Sequence, residues 1–161
     1  MVFFSFMPIK INWTNAKFLG IALFFLGIMG MVQAFIFIPI GQYTLRVGSW
    51  YVLTLVPIGI TLAMTYAAQI LYEAYLQVRS TRSSKYRKKN KMNFLDLEPN
   101  MIKSALIIVV SFAVSFGIAY GVSSGSLAVI NTFIVSENIG AITSLVIASV
   151  MEKQLNPQIN Y

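Results

Sequence analysis

Four long apolar stretches occupy most of the chain, and a dense run of positive charge, Arg79-Ser-Thr-Arg82-Ser-Ser-Lys85-Tyr-Arg87-Lys88-Lys89-Asn-Lys91, divides the second from the third. A helix needs about 20 residues to cross the roughly 30 Å hydrocarbon core of a bilayer, and each stretch supplies them. The cationic run cannot enter lipid at acceptable cost, so it marks a loop on the cytoplasmic side. The pattern predicts an all-α integral membrane protein, a four-transmembrane-helix bundle forming a single membrane domain over residues 1–161. Its expected parts are an interfacial segment at 1–17, spans at 18–40, 51–78, 102–122 and 127–151, a basic cytoplasmic loop at 79–100 and a cytoplasmic tail at 152–161.

Composition supports this and removes several chemistries. Only 11% of residues are charged and 57% are hydrophobic, whereas about a quarter of a soluble domain is charged. Cysteine and histidine are both absent, which excludes disulfides, thiolate nucleophiles, Cys/His zinc sites and histidine-ligated haem. The reading is therefore of a non-enzyme with no cofactor, no metal site and no catalytic residues of its own. The net charge of +7 resides in flanks and one loop, so no nucleic acid is expected.

The first 17 residues carry Phe3, Phe4, Phe6 and Trp13 beside Lys10 and Lys17, a composition suited to an interfacial anchor. A cleaved signal peptide would place its cations first. The first span is expected to end at Pro39 and Gly41, followed by a short connection in which Tyr43, Trp50 and Tyr51 form an aromatic belt. Pro57 sits early in span two, where Thr side chains can satisfy the carbonyl it frees. Asp96, Glu98, Pro99 and Asn100 form a helix start for span three, and Ser123-Ser-Gly-Ser126 a tight turn before span four. All but Arg46 of the 12 Lys and Arg residues then fall on one side, which places both termini in the cytoplasm. A prokaryotic plasma membrane is the default location.

Ala113, Gly117, Gly121 and Gly125 recur every four residues, with Ser111 and Ser115 on an adjacent line. Small residues in such a ladder let two helix backbones approach closely. Packing within the chain and docking to another subunit both use that property, and Gly20, Gly27 and Gly30 offer the same on span one.

Glu137 is the most unusual residue, an ionisable group inside span four with Asn138 and Gly140 beside it and Ser144 on its helical face. Such a group marks a functional site by default. Three readings follow: a protonated, hydrogen-bonded side chain holding helices together; a cation or proton site in a helix broken or re-entrant near Glu137; or an outer loop. In span two, Tyr66, Gln69, Glu73 and Gln77 share one face, and Glu73 is expected to meet Arg79 or Lys103. The cations Arg79, Arg82, Lys85, Arg87, Lys88, Lys89 and Lys91 suit anionic lipid head groups.

Spans one and two do not repeat in spans three and four, which weighs against an inverted-repeat transporter. The expected function is a non-catalytic accessory or structural subunit of a larger membrane complex of respiratory, monooxygenase or translocation type. Other membrane subunits, or further copies of the chain, would be its partners. The alternative is a small ion or proton transporter component that uses Glu137.

Overall fold

The structure, a computed structural model, describes residues 16–45, 50–83 and 98–155. These are helical: α1 (Ala16–Val32), a π-helical turn (Gln33–Phe37), α2 (Ile38–Leu45), α3 (Trp50–Ser83), α4 (Glu98–Ser123) and α5 (Val129–Leu155). Four stretches are long and apolar enough to cross a membrane: Leu19–Gln42, Thr54–Val78, Pro99–Ser123 and Val129–Leu155. The molecule is thus an all-helical, multi-pass membrane protein. Residues 1–15 of the N-terminal anchor, the aromatic belt side chains, the basic residues from Lys85 to Lys91 and residues 156–161 of the C-terminal tail lie outside the described residues, while the tail's first four residues continue α5. Arg79 and Arg82 fall on the last turns of α3.

Several boundaries differ from the sequence reading. Pro39 and Gly41 do not end the first span, because α1, the π turn and α2 form one helical run through to Leu45. Met29, Gln33, Phe37 and Gly41 are all buried at spacings of four. A regular helix advances about 100° per residue and would rotate that line by roughly 40° per step. The wider π turn corrects the drift, and Ile38 N–H bonds the Gln33 carbonyl across it. Pro39 has no N–H to complete the normal bond at this point, so proline and π turn belong together. The helix also runs through Pro57, where Thr61 donates to the Pro57 carbonyl at 2.7 Å and Thr65 to that of Thr61 at 2.7 Å. These bonds lie one and two turns beyond the carbonyl that proline frees.

The third and fourth spans start and stop largely as their end signals require. Glu98 and Pro99 open α4, with proline in the first turn where its missing N–H costs nothing. The connection to α5 is tight, with Ser126 and Leu127 N–H groups both bonding the Ser123 carbonyl. The α5 helix is unbroken from Val129 to Leu155, so Glu137 lies in regular helix. The irregular turn of this bundle is in the first span instead.

The second span, on α3, is central: half of its most apolar stretch is buried inside the bundle, against 39% for the fourth span and 28% for the first and third. From Met64 to Ala74 only Tyr66 is not fully buried. Around it, Phe37 meets Phe112 and Phe116 edge-on at 4.8 and 4.9 Å, and Phe133 packs on Phe116 at 6.2 Å. These rings occupy the half nearest the α4–α5 turn, while Phe25 against Tyr72 at 6.0 Å fills the other. On α4, Ile102, Leu106, Val110, Val114, Ile118 and Val122 all face outward. Such a continuous apolar line is unsuited to water and suited to lipid.

Candidate functional site: a buried acid and amide cluster

Short and long polar side chains have different fates inside this bundle. The buried hydroxyls are satisfied by their own helices: Thr65, Ser104, Ser136 and Ser144 each donate to the carbonyl four residues back, at 2.7 to 2.9 Å. Thr132 lies 3.2 Å from the Ala128 carbonyl and 3.3 Å from that of Ser123, tying α5 to the end of α4. A Ser or Thr hydroxyl reaches the preceding turn easily. Glutamate, glutamine and tyrosine project further from the backbone. Among the described residues, every buried side-chain polar atom without a hydrogen-bond partner belongs to Gln33, Gln69, Tyr72, Glu73 or Glu137.

Glu137 is wholly buried, and neither carboxyl oxygen has a partner. Its polar neighbour is the Gln33 amide. Gln33 is the first residue of the π turn and is only 1% exposed. Its Nε2 donates to the Met64 sulfur at 3.7 Å, and its Oε1 is unpartnered. The first span, α3 and α5 therefore converge on one acid–amide pair. Gln33 also lines an apolar groove of about 490 Å³ between the first two spans, with Gly30, Pro57 and Thr61 among its walls.

A second cluster lies on α3, where Gln69 adjoins Glu73 and both Gln69 side-chain atoms, Tyr72 Oη and Glu73 Oε1 lack partners. Glu73 does not meet Lys103, whose ammonium lies 5.1 Å from the centre of the Tyr75 ring. Glu152 is the charged residue that acts on Glu73 from α5. The side chain of Arg79 lies outside the described residues.

The remaining candidates separate from Glu137. Asn138 is exposed and bonds back to the Ile134 carbonyl at 2.7 Å. Ser144 faces Ser111 across the α4–α5 seam, with 3.4 Å between hydroxyl oxygens. Gly140, expected to favour unwinding, is a close-packing position, since an added Cβ would stand 2.8 Å from the Phe112 ring. The ladder Ala113, Gly117, Gly121 and Gly125 faces out of the molecule. A Cβ at any of these three glycines, or at Gly20 or Gly27, would meet nothing within 4 Å, while at Gly30 it would touch Thr61 at 3.9 Å. The adjacent Ser111 line is the one that serves packing within the chain.

No group of three or more acids that could hold a metal ion occurs among the described residues. Gln33 is the residue of this pair that the sequence pattern did not join to Glu137. Its signal was an amide in an apolar span six residues before a proline. Comparisons with family models, curated proteins and solved structures found no match.

Proposed function

We propose that this chain is a non-catalytic accessory or structural subunit of a larger multi-subunit membrane complex, of respiratory, monooxygenase or translocation type. The observation that carries the proposal is the outward-facing ladder on α4. Ala113, Gly117 and Gly121 form a shallow strip beside the larger Val114, Ile118 and Val122 side chains, and nothing among the described residues covers it. In lipid, helix association depends on close packing because hydrocarbon offers no hydrophobic drive. A strip of this shape is of use to a second helix and of no use to a lipid tail. Gly20 and Gly27 give the first span a comparable open face.

In this reading both termini and the basic residues Arg79 to Lys91 face the cytoplasm of a prokaryotic plasma membrane, where the cations meet anionic head groups. Mild extraction followed by native mass spectrometry tests the proposal. The chain should be recovered with other subunits at fixed ratio, and Gly117→Ile with Gly121→Ile should reduce that recovery about tenfold or more, equivalent to at least 1.4 kcal/mol. Recovery as a lone, monodisperse chain would overturn it, and recovery with copies of itself would assign the strip to a homo-oligomer.

A second reading, a small proton or cation transporter component, is favoured by the unpartnered carboxyl of Glu137 deep in the bundle. In proteoliposomes, Glu137→Gln would abolish a coupled flux while leaving assembly intact; absence of any flux from the unaltered protein counts against it.

A further inference from the structure

We propose that Glu137 and Gln33 form a proton-binding site inside the bundle, the proton being held on the Glu137 carboxyl and donated to Gln33 Oε1, and that Glu73 and Gln69 form a second site of the same chemistry. The first observation is a mismatch of donors and acceptors. An ionised carboxylate only accepts hydrogen bonds. Glu137 Oε1, Glu137 Oε2 and Gln33 Oε1 are therefore three buried acceptors without a partner, and Gln33 Nε2 is directed to the Met64 sulfur. Buried polar atoms are almost always partnered, and a cluster of exceptions calls for a specific occupant.

One proton resolves the mismatch. Its addition converts the carboxylate to a carboxylic acid with an O–H donor, and the unpartnered Oε1 of the neighbouring Gln33 can accept it. No electron moves and no other bond changes. The charge is removed in the same step, which matters because no charged side chain among the described residues acts on Glu137, and a lone buried charge is costly in lipid. On α3 the fit is reciprocal. A protonated Glu73 donates to Gln69 Oε1 while Gln69 Nε2 donates to the other carboxyl oxygen, which gives partners to Gln69 Oε1, Gln69 Nε2 and Glu73 Oε1 and removes the repulsion between Glu73 and Glu152 of α5. The two sites differ in depth, since Gln69 lies five residues beyond Met64, roughly 7.5 Å along the axis.

A metal cation is the competing occupant. Hard cations such as calcium or magnesium take six or more oxygens, whereas this pair supplies three. The inference is independent of the subunit proposal, because it concerns the interior and not the α4 face.

Infrared spectroscopy of the purified full chain in lipid nanodiscs at neutral pH tests it. The chain has only five acidic residues, so carboxyl bands can be assigned by substitution. The unaltered protein should show a protonated carboxyl C=O band that loses one component in Glu137→Gln and shifts in Gln33→Leu, with helicity unchanged in both. Glu137→Gln mimics the protonated form and is expected to fold; should it not, the shift in Gln33→Leu still reports the bond. A spectrum containing ionised carboxylates only would overturn the proposal. So would loss of the Glu137 band on adding sodium or lithium ions, which would make the site a cation site.

Discussion

Gly140 and Gly117 are the same residue type on neighbouring helices, yet their surroundings give them opposite properties. At Gly140 an added Cβ would press within 2.8 Å of a Phe112 ring already held by Phe37 and Phe116. Gly140→Ala should therefore destabilise the purified protein by about 1–3 kcal/mol, the usual cost of overpacking. Combining it with Phe112→Leu should recover part of that loss. At Gly117 the space is open, so Gly117→Ala should leave the isolated chain unchanged or stabilise it by up to about 1 kcal/mol through helix propensity. Thermal denaturation of these three variants beside the unaltered protein in one detergent checks both statements.

At the scale of elements, the first span depends on its irregular turn. Burial at Met29, Gln33, Phe37 and Gly41 requires a widening of the helix, and Pro39 is placed where the widening costs no additional hydrogen bond donor. Pro39→Ala should allow the π turn to relax to a regular helix. Gln33 and Phe37 could then no longer both keep their places beside Glu137 and Phe116. The expected loss is about 0.5–3 kcal/mol, with a decrease in near-ultraviolet circular dichroism from the aromatic cluster. An unchanged stability and spectrum would show that the π turn persists without Pro39. The α4–α5 seam is testable through the absence of native cysteine. Ser111→Cys with Ser144→Cys should form a disulfide on mild oxidation, because the two hydroxyl oxygens are 3.4 Å apart, whereas Ala113→Cys with Ser144→Cys should not.

For the whole molecule, the distribution of charge makes a prediction about orientation. In intact cells a membrane-impermeant thiol reagent should label Gly125→Cys and leave Lys88→Cys unlabelled until the cells are opened. The reverse pattern would invert the topology and place the basic run against the outer leaflet. The outward ladder belongs to this scale too, since its consequence appears only in an assembly. Substitutions there should alter what is recovered with the protein while leaving its own denaturation unchanged.

The sequence by itself determined the class of molecule and the number of spans. Both follow from the length and apolarity of four stretches, local properties that neighbours cannot change. It also marked Glu137 as exceptional, because the cost of an ionisable group in a span is a matter of depth alone. Only the tertiary structure decided direction. Which line of small residues on α4 faces inward, whether Gly140 opens a helix or closes a contact, and which amide stands beside Glu137 all depend on how helices are rotated about their axes. That rotation is fixed by packing against residues distant in the chain. A proline and a π turn in the first span set it for Gln33, so the acid and its amide could be seen separately in the sequence and as a pair only in the fold.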